Sequence, residues 1–102
     1  MLNYDAANLK KLKKMAELAP AGMKAYRAFG DAAMADGAIP VKYKELMALA
    51  VAFTTQCPYC IDHHGKKAKE AGATDQEITE AALVSAALRA GASVTHATHA
   101  ID

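Results

Sequence analysis

The stretch VKYKELMALAVAFTTQCPYCIDHH, residues 41–64, decides the fold of this chain. Its first part follows Pro40 and sets Leu46, Leu49, Ala50 and Phe53 on one helix face, which predicts a helix over 41–55. Glu45 stands one position from that apolar stripe, an unusual place for a carboxylate. The second part begins at Cys57-Pro58. Proline suits the first helical position, where its missing N–H costs nothing and its φ is already helical, so Pro58 opens a new helix and Cys57 caps it. That helix runs to about Ala71, and the two together predict a helical hairpin.

Outward from the hairpin, Thr74-Asp75-Gln76-Glu77 has the pattern of a capping box and opens a fifth helix with the stripe Ile78, Ala81, Ala82, Ser85 and Leu88. Gly91 reads as a break, leaving a short sixth segment that holds Val94, His96 and His99. Upstream, Pro20 and the Asp36-Gly37 to Pro40 stretch bound two more helices. The first, about Tyr4 to Ala19, puts Leu9, Leu12, Ala16 and Ala19 on one side and solvates Lys10, Lys11, Lys13 and Lys14. The second, about Ala21 to Asp36, carries Met23, Tyr26, Phe29, Ala33 and Met34, enough for packing on more than one side. Val, Ile and Thr total only 14 residues, so propensity favours helix over strand. The expectation is an all-α bundle of about six helices, one domain over residues 1–102.

The apolar set is 53% of the chain, but 25 of its members are Ala, against 23 Leu, Ile, Val, Met and Phe and no Trp. A chain of 102 residues makes one domain, and its large-residue core is thin. Self-association that merges several thin cores is therefore expected. A formal charge of +1 lacks the basic footprint of a nucleic-acid binder. No window approaches the roughly 18 apolar residues of a membrane span, and the opening MLNYDAANLKKLKK lacks the apolar run of a signal peptide, so a cytoplasmic protein with no membrane partner is expected.

In a reducing compartment, Cys57-Pro58-Tyr59-Cys60 reads as catalytic or metal-binding rather than as a structural staple. With Cys57 as N-cap, Cys60 takes the third helical position, and both sulfurs lie where free N–H groups and the helix dipole favour negative charge. Both thiol pKa values are expected to fall. A pair at i, i+3 has Cβ atoms about 5 to 6 Å apart, slightly beyond the usual disulfide spacing of about 3.5 to 4.5 Å, so modest fraying closes a bridge. His64 follows Cys60 by one turn on the same face and can share its proton, with His63 as the competing candidate. A thiolate so placed can attack a peroxide O–O bond, and the second thiol condenses the resulting sulfenic acid to a disulfide. Along antiparallel helices, the rise of 1.5 Å per residue leaves Glu45 and His64 offset by about 6 Å. A bridging water or a small stagger would let Glu45 orient His64. The competing reading of Glu45 is a surface carboxylate near Lys42 and Lys44.

Glu45-Leu46 through Ala50, then Cys57-Pro58-Tyr59-Cys60 and His64, resembles the alkylhydroperoxidase D-like, carboxymuconolactone decarboxylase family. The spacing Glu-x11-Cys-x2-Cys-x3-His carries the resemblance, which covers the hairpin closely and the Ala-rich helices around it in kind. It implies an all-α bundle with the motif hairpin buried among subunits, assembled as trimers or hexamers. It also implies a hydroperoxide substrate, with Cys60 attacking peroxide, Cys57 resolving, and Glu45 and His64 relaying protons. No bound cofactor is implied; the disulfide is reduced by an external dithiol, a lipoyl-bearing protein in the best-understood system. The family's peroxidases carry His immediately before the second cysteine, where this chain has Tyr59, a poor base at neutral pH but a serviceable hydrogen-bond donor. The decarboxylase branch works without this cysteine pair, so its lactone chemistry does not transfer.

Two other classes fit parts of the pattern. Cys57 and Cys60 with His63 or His64 offer soft ligands to Zn²⁺, but adjacent histidines diverge by about 100° on a helix, so a fourth ligand would have to come from His96 or His99. A non-catalytic assembly protein whose cysteines simply pack is the third reading.

Overall fold

The computed structural model describes residues 4–102, and it is helical, with no strand among the described residues. Met1, Leu2 and Asn3, part of the opening searched for a leader, lie outside them. Five α-helices follow in order: α1 (Leu12–Leu18), α2 (Pro20–Met34), α3 (Val41–Thr55), α4 (Pro58–Glu70) and α5 (Asp75–Ala97). Short 3₁₀ turns occupy Ala6–Lys11 and Thr98–Ala100. Among the described residues, no helix is long and apolar enough to cross a membrane.

The chain divides into two units, one ending at Val41 and one running from Lys42 to Asp102. In the first unit, the helix expected from Tyr4 is split. Asp5 caps a 3₁₀ turn by accepting the N–H of Ala7 at 2.9 Å, and α-helical bonding starts only at Leu12. Ala19 ends α1 and caps α2, with Pro20 at the first position of the new helix. Tyr26 and Phe29 of α2, expected to pack, are 67% and 74% exposed in the single chain. After α2, the Asp36 carboxylate accepts the N–H of Val41 at 2.7 Å and so holds the entry to α3.

The second unit carries the core. Leu49, 1% exposed, is the large side chain at its centre, packed with Ala68 of α4, Ala73 of the α4–α5 turn, and Leu46, Phe53 and Ile78 around them. Full burial of one such leucine contributes about 1.5 to 3 kcal/mol. The turn after α4 is a Schellman cap. Gly72 takes φ +95°, which costs glycine nothing, and the Ala73 N–H reaches back to the Ala68 carbonyl at 2.9 Å. Both alanines belong to the core, so this cap also packs it.

The start of α5 is the expected capping box: Thr74 Oγ1 accepts the Glu77 N–H at 3.1 Å, and Glu77 Oε1 accepts the Thr74 N–H at 3.0 Å. The other oxygen of Glu77 meets Lys42 Nζ at 2.8 Å, tying the first turn of α5 to that of α3. The break expected at Gly91 is absent, and α5 continues to Ala97. A mid-helix glycine costs only about 1 kcal/mol relative to alanine, and here it is flanked by Ala86, Ala87, Ala90 and Ala92, the strongest helix formers. Val94 and His96 of the expected sixth segment therefore lie in the last turns of α5, and His99 in the 3₁₀ turn that follows.

Candidate active site

Two helix caps set the positions of the cysteines. α3 ends at Thr55, and Gln56 turns the chain at φ +57°, a left-handed conformation that side chains other than glycine rarely take. The Cys57 N–H then reaches back to the Ala52 carbonyl at 3.2 Å, completing a Schellman-type cap on α3. Cys57 itself is extended (φ −94°, ψ 100°) and caps α4: its Sγ accepts the Cys60 N–H at 3.3 Å, with Pro58 at the first helical position as expected. Both cysteines are half-buried free thiols.

The two sulfurs are electrostatically unequal. Cys57 is held below its ordinary pKa, first by a hydrogen bond from the Cys60 thiol and then by the N–H groups of Cys60 and Tyr59. Cys60 is pushed up, first because its thiol is the donor to Cys57, then by burial and by the nearby Cys57 charge. The expectation that both would fall is thus corrected. The helix N-terminus stabilises charge at the cap, where the donors point, while the inner thiol gives its hydrogen bond to the outer one. The pair's first negative charge resides on Cys57.

Glu45 is buried, 6% exposed, and its Oε2 lies 2.7 Å from His64 Nδ1. The axial offset expected between them closes without a bridging water, and the surface reading of Glu45 is overturned. Lys42 turns away to pair with Glu77. A carboxylate only accepts, so Nδ1 of the neutral ring carries the hydrogen and Nε2 is left as the basic nitrogen. Cys57, Cys60 and His64 follow one another along one face of α4, at i, i+3 and i+7. The competing residue, His63, is exposed and meets His64 edge-on, with ring centroids 4.9 Å apart and planes at 76°. Tyr59, half-buried, donates its backbone N–H toward Cys57.

The remaining histidines do not join this site. His96 bonds to the Ala92 carbonyl of its own helix at 2.8 Å, and its ring lies 5.9 Å from that of His99. Among the described residues, no three or more His, Cys, Asp or Glu side chains come together to hold a metal ion, so the zinc set drawn from Cys57, Cys60, His63, His64, His96 and His99 is not assembled. What sequence reasoning missed is the capping role of Gln56 and the Ala52 carbonyl. Glutamine carries no left-handed signal that would have announced it.

The sequence pattern of the carboxymuconolactone decarboxylase family matches residues 20–102, which include every residue of this site. The chain belongs to that family. It is 47% identical over 77 residues to uncharacterised protein 4 of the cox locus of Paracoccus denitrificans, covering 76% of this chain and 69% of that one. An uncharacterised protein of Cupriavidus necator is 30% identical over 82 residues, 80% of this chain and 73% of the relative. Among solved structures, a protein from Methanobacterium thermoautotrophicum superposes with a TM-score of 0.80 at 30% identity, over 86% of this chain and 99% of that one. A carboxymuconolactone decarboxylase family protein from Legionella pneumophila, in its apo form, superposes with a TM-score of 0.78 at 32% identity, over 90% of this chain and 82% of that one. The all-helical architecture is that of the family.

Proposed function

We propose that this chain is a thiol-dependent peroxidase and disulfide oxidoreductase that reduces hydroperoxides through Cys57 and Cys60. The supporting observation is the 2.7 Å bond between buried Glu45 and His64, one helical turn beyond Cys60. The division of roles implied by the family resemblance fits the electrostatics. Cys60, the thiol pushed up, needs a base to become a nucleophile, and the basic Nε2 of His64 is on its face. Cys57, the thiol pushed down, needs none and stands ready to resolve.

In the proposed cycle, His64 takes the Cys60 proton and the thiolate attacks the distal peroxide oxygen. The O–O bond breaks and His64 hands its proton to the departing alkoxide, giving an alcohol and a Cys60 sulfenic acid. Cys57 thiolate then attacks the Cys60 sulfur, expelling hydroxide, which leaves as water after taking a proton from solvent. An external dithiol, such as a lipoyl-bearing protein, supplies the two electrons that reopen the disulfide. Tyr59 supports this cycle as a donor, not as a base. A cytoplasmic setting, where thiols are kept reduced, and a homo-oligomer, trimer or hexamer, complete the reading. For the latter, α3 is apolar on two sides, with Tyr43, Met47 and Val51 forming an exposed stripe opposite the Leu49 side.

The test is peroxide consumption driven by a small dithiol. Cys60→Ser abolishes turnover, whereas Cys57→Ser permits one sulfenate-forming event and then stalls. Sulfenic acid trapped only on Cys57 would reverse the roles, and wild-type protein that consumes no peroxide would end the proposal.

A further inference from the structure

Oxidised Cys57–Cys60 must be reopened by a thiol, and the two sulfurs present it with different approaches. Thiolate attack on a disulfide is in-line: the new bond forms opposite the sulfur that leaves. Along the face of α4 the order is Cys57 at the cap, Cys60 in the first turn and His64 one turn on, with Glu45 against His64. An attack on Cys60 would come from the His64 end of that face, where the imidazole is held by a buried carboxylate. Attack on Cys57 comes from beyond the helix end, where Cys57 is extended and follows the left-handed Gln56.

From this arrangement we infer that the external dithiol enters at Cys57, so that its mixed disulfide forms on Cys57 and Cys60 is the leaving sulfur. The inference rests on the redox-pair reading above. In the first step the reductant's thiolate bonds to Cys57 Sγ, the Cys57–Cys60 bond breaks, and its electron pair goes to Cys60. His64, held by Glu45 and protonated on Nε2 by the proton that the reductant's attacking thiol gives up, passes that proton to the Cys60 sulfur. In the second step the reductant's other thiol, as thiolate, attacks its own partner sulfur in the mixed disulfide. Cys57 leaves as thiolate and is received by the Cys60 N–H, the bond seen at 3.3 Å in the reduced pair. The dithiol becomes a cyclic or intramolecular disulfide, and both cysteines end reduced. Two electrons pass; of the two protons the dithiol gives up, one reaches Cys60 through His64 and the other goes to solvent.

The competing route, attack on Cys60 with Cys57 leaving, has the better leaving group, because Cys57 is the thiol held below its ordinary pKa. Its line of approach runs along the α4 face toward His64, and it would place the incoming negative charge near the Glu45 carboxylate that holds that ring. The two routes leave the label on different residues, which makes them separable.

Wild-type protein is oxidised with diamide, which makes the bridge without peroxide, and then treated with excess 2-mercaptoethanol. The reaction is stopped by acid within its first turnover. Free thiols are alkylated, and the mercaptoethanol adduct is located by fragmentation mass spectrometry. The expected result is adduct on Cys57 and alkyl group on Cys60, in about ten-fold excess over the reverse pattern. Adduct on Cys60, or an even division, overturns the inference. A second arm measures reduction of the diamide-made disulfide by dithiothreitol: His64→Gln slows it by at least about ten-fold, a floor set below the roughly 10² to 10⁴-fold that a positioned acid supplies, and an unchanged rate overturns the acid's role. Failure of hydrogen peroxide to form the bridge in untreated protein would count against the peroxidase reading alone, since neither arm uses peroxide.

Discussion

At the scale of single residues, Glu45 and His64 set the chemistry, because burial removes the carboxylate from water and leaves the imidazole as its partner. His64→Ala is expected to slow Cys60 thiolate formation more than His63→Ala does, since exposed His63 touches only the edge of the relay. Alkylation rates in a Cys57→Ser background check this, and equal effects would mean that the relay does not pass through His64. The inequality of the thiols gives a pH prediction with a definite sign. The main cause lowering Cys57 is the Cys60 thiol, so Cys60→Ala moves the midpoint of Cys57 alkylation upward, toward the ordinary thiol value of about 8.5. A midpoint that stays low would assign the effect to the backbone N–H groups instead. This inequality was not legible in the sequence. The helix dipole acts on both sulfurs in the same direction, and no spacing rule says which thiol donates to the other. The spacing of Glu45, Cys57, Cys60 and His64 was legible, but axial rise alone left Glu45 and His64 apart.

At the scale of elements, the bounds of α3 and the start of α4 were readable because Pro40 and Pro58 punctuate them and Cys57 can cap. Gly91 misled because a helix breaker acts through a modest energy that alanine-rich neighbours outweigh, whereas Gly72, alike in sequence, ends α4 through a left-handed turn. A Cβ added at Gly91 meets nothing within 4 Å in the single chain. Gly91→Ala is therefore expected to stabilise the protein by about 1 kcal/mol, read as a higher urea midpoint. A lower midpoint would reveal another backbone approaching that glycine closely. The split of the first helix into a 3₁₀ turn and α1 had no strong signal, because its lysines and leucines suit either kind of turn.

For the whole molecule, the alanine count foretold the thin core, and five residues are buried among those described: Glu45, Leu49, Ala52, Ala68 and Ala73. Leu83, Val84, Leu88 and Val94 leave an apolar row exposed along α5. In the proposed homo-oligomer, this row is the surface that a second copy would cover. Leu88→Glu is expected to lower the apparent mass in light scattering and to make the melting temperature fall on dilution. An unchanged mass with unchanged melting would place the contact elsewhere. The carboxylate in so small an interior has a consequence for anyone improving the protein by directed evolution. Leucine at position 45 together with an apolar residue at 64 would lengthen the greasy row through Leu49 and Ala52, and replacing both members of a buried polar pair with hydrocarbon is often neutral or stabilising. Selection for heat resistance alone would thus discard Glu45 and His64 together, and survivors of such a screen, melting no lower than the parent, should be inert toward peroxide.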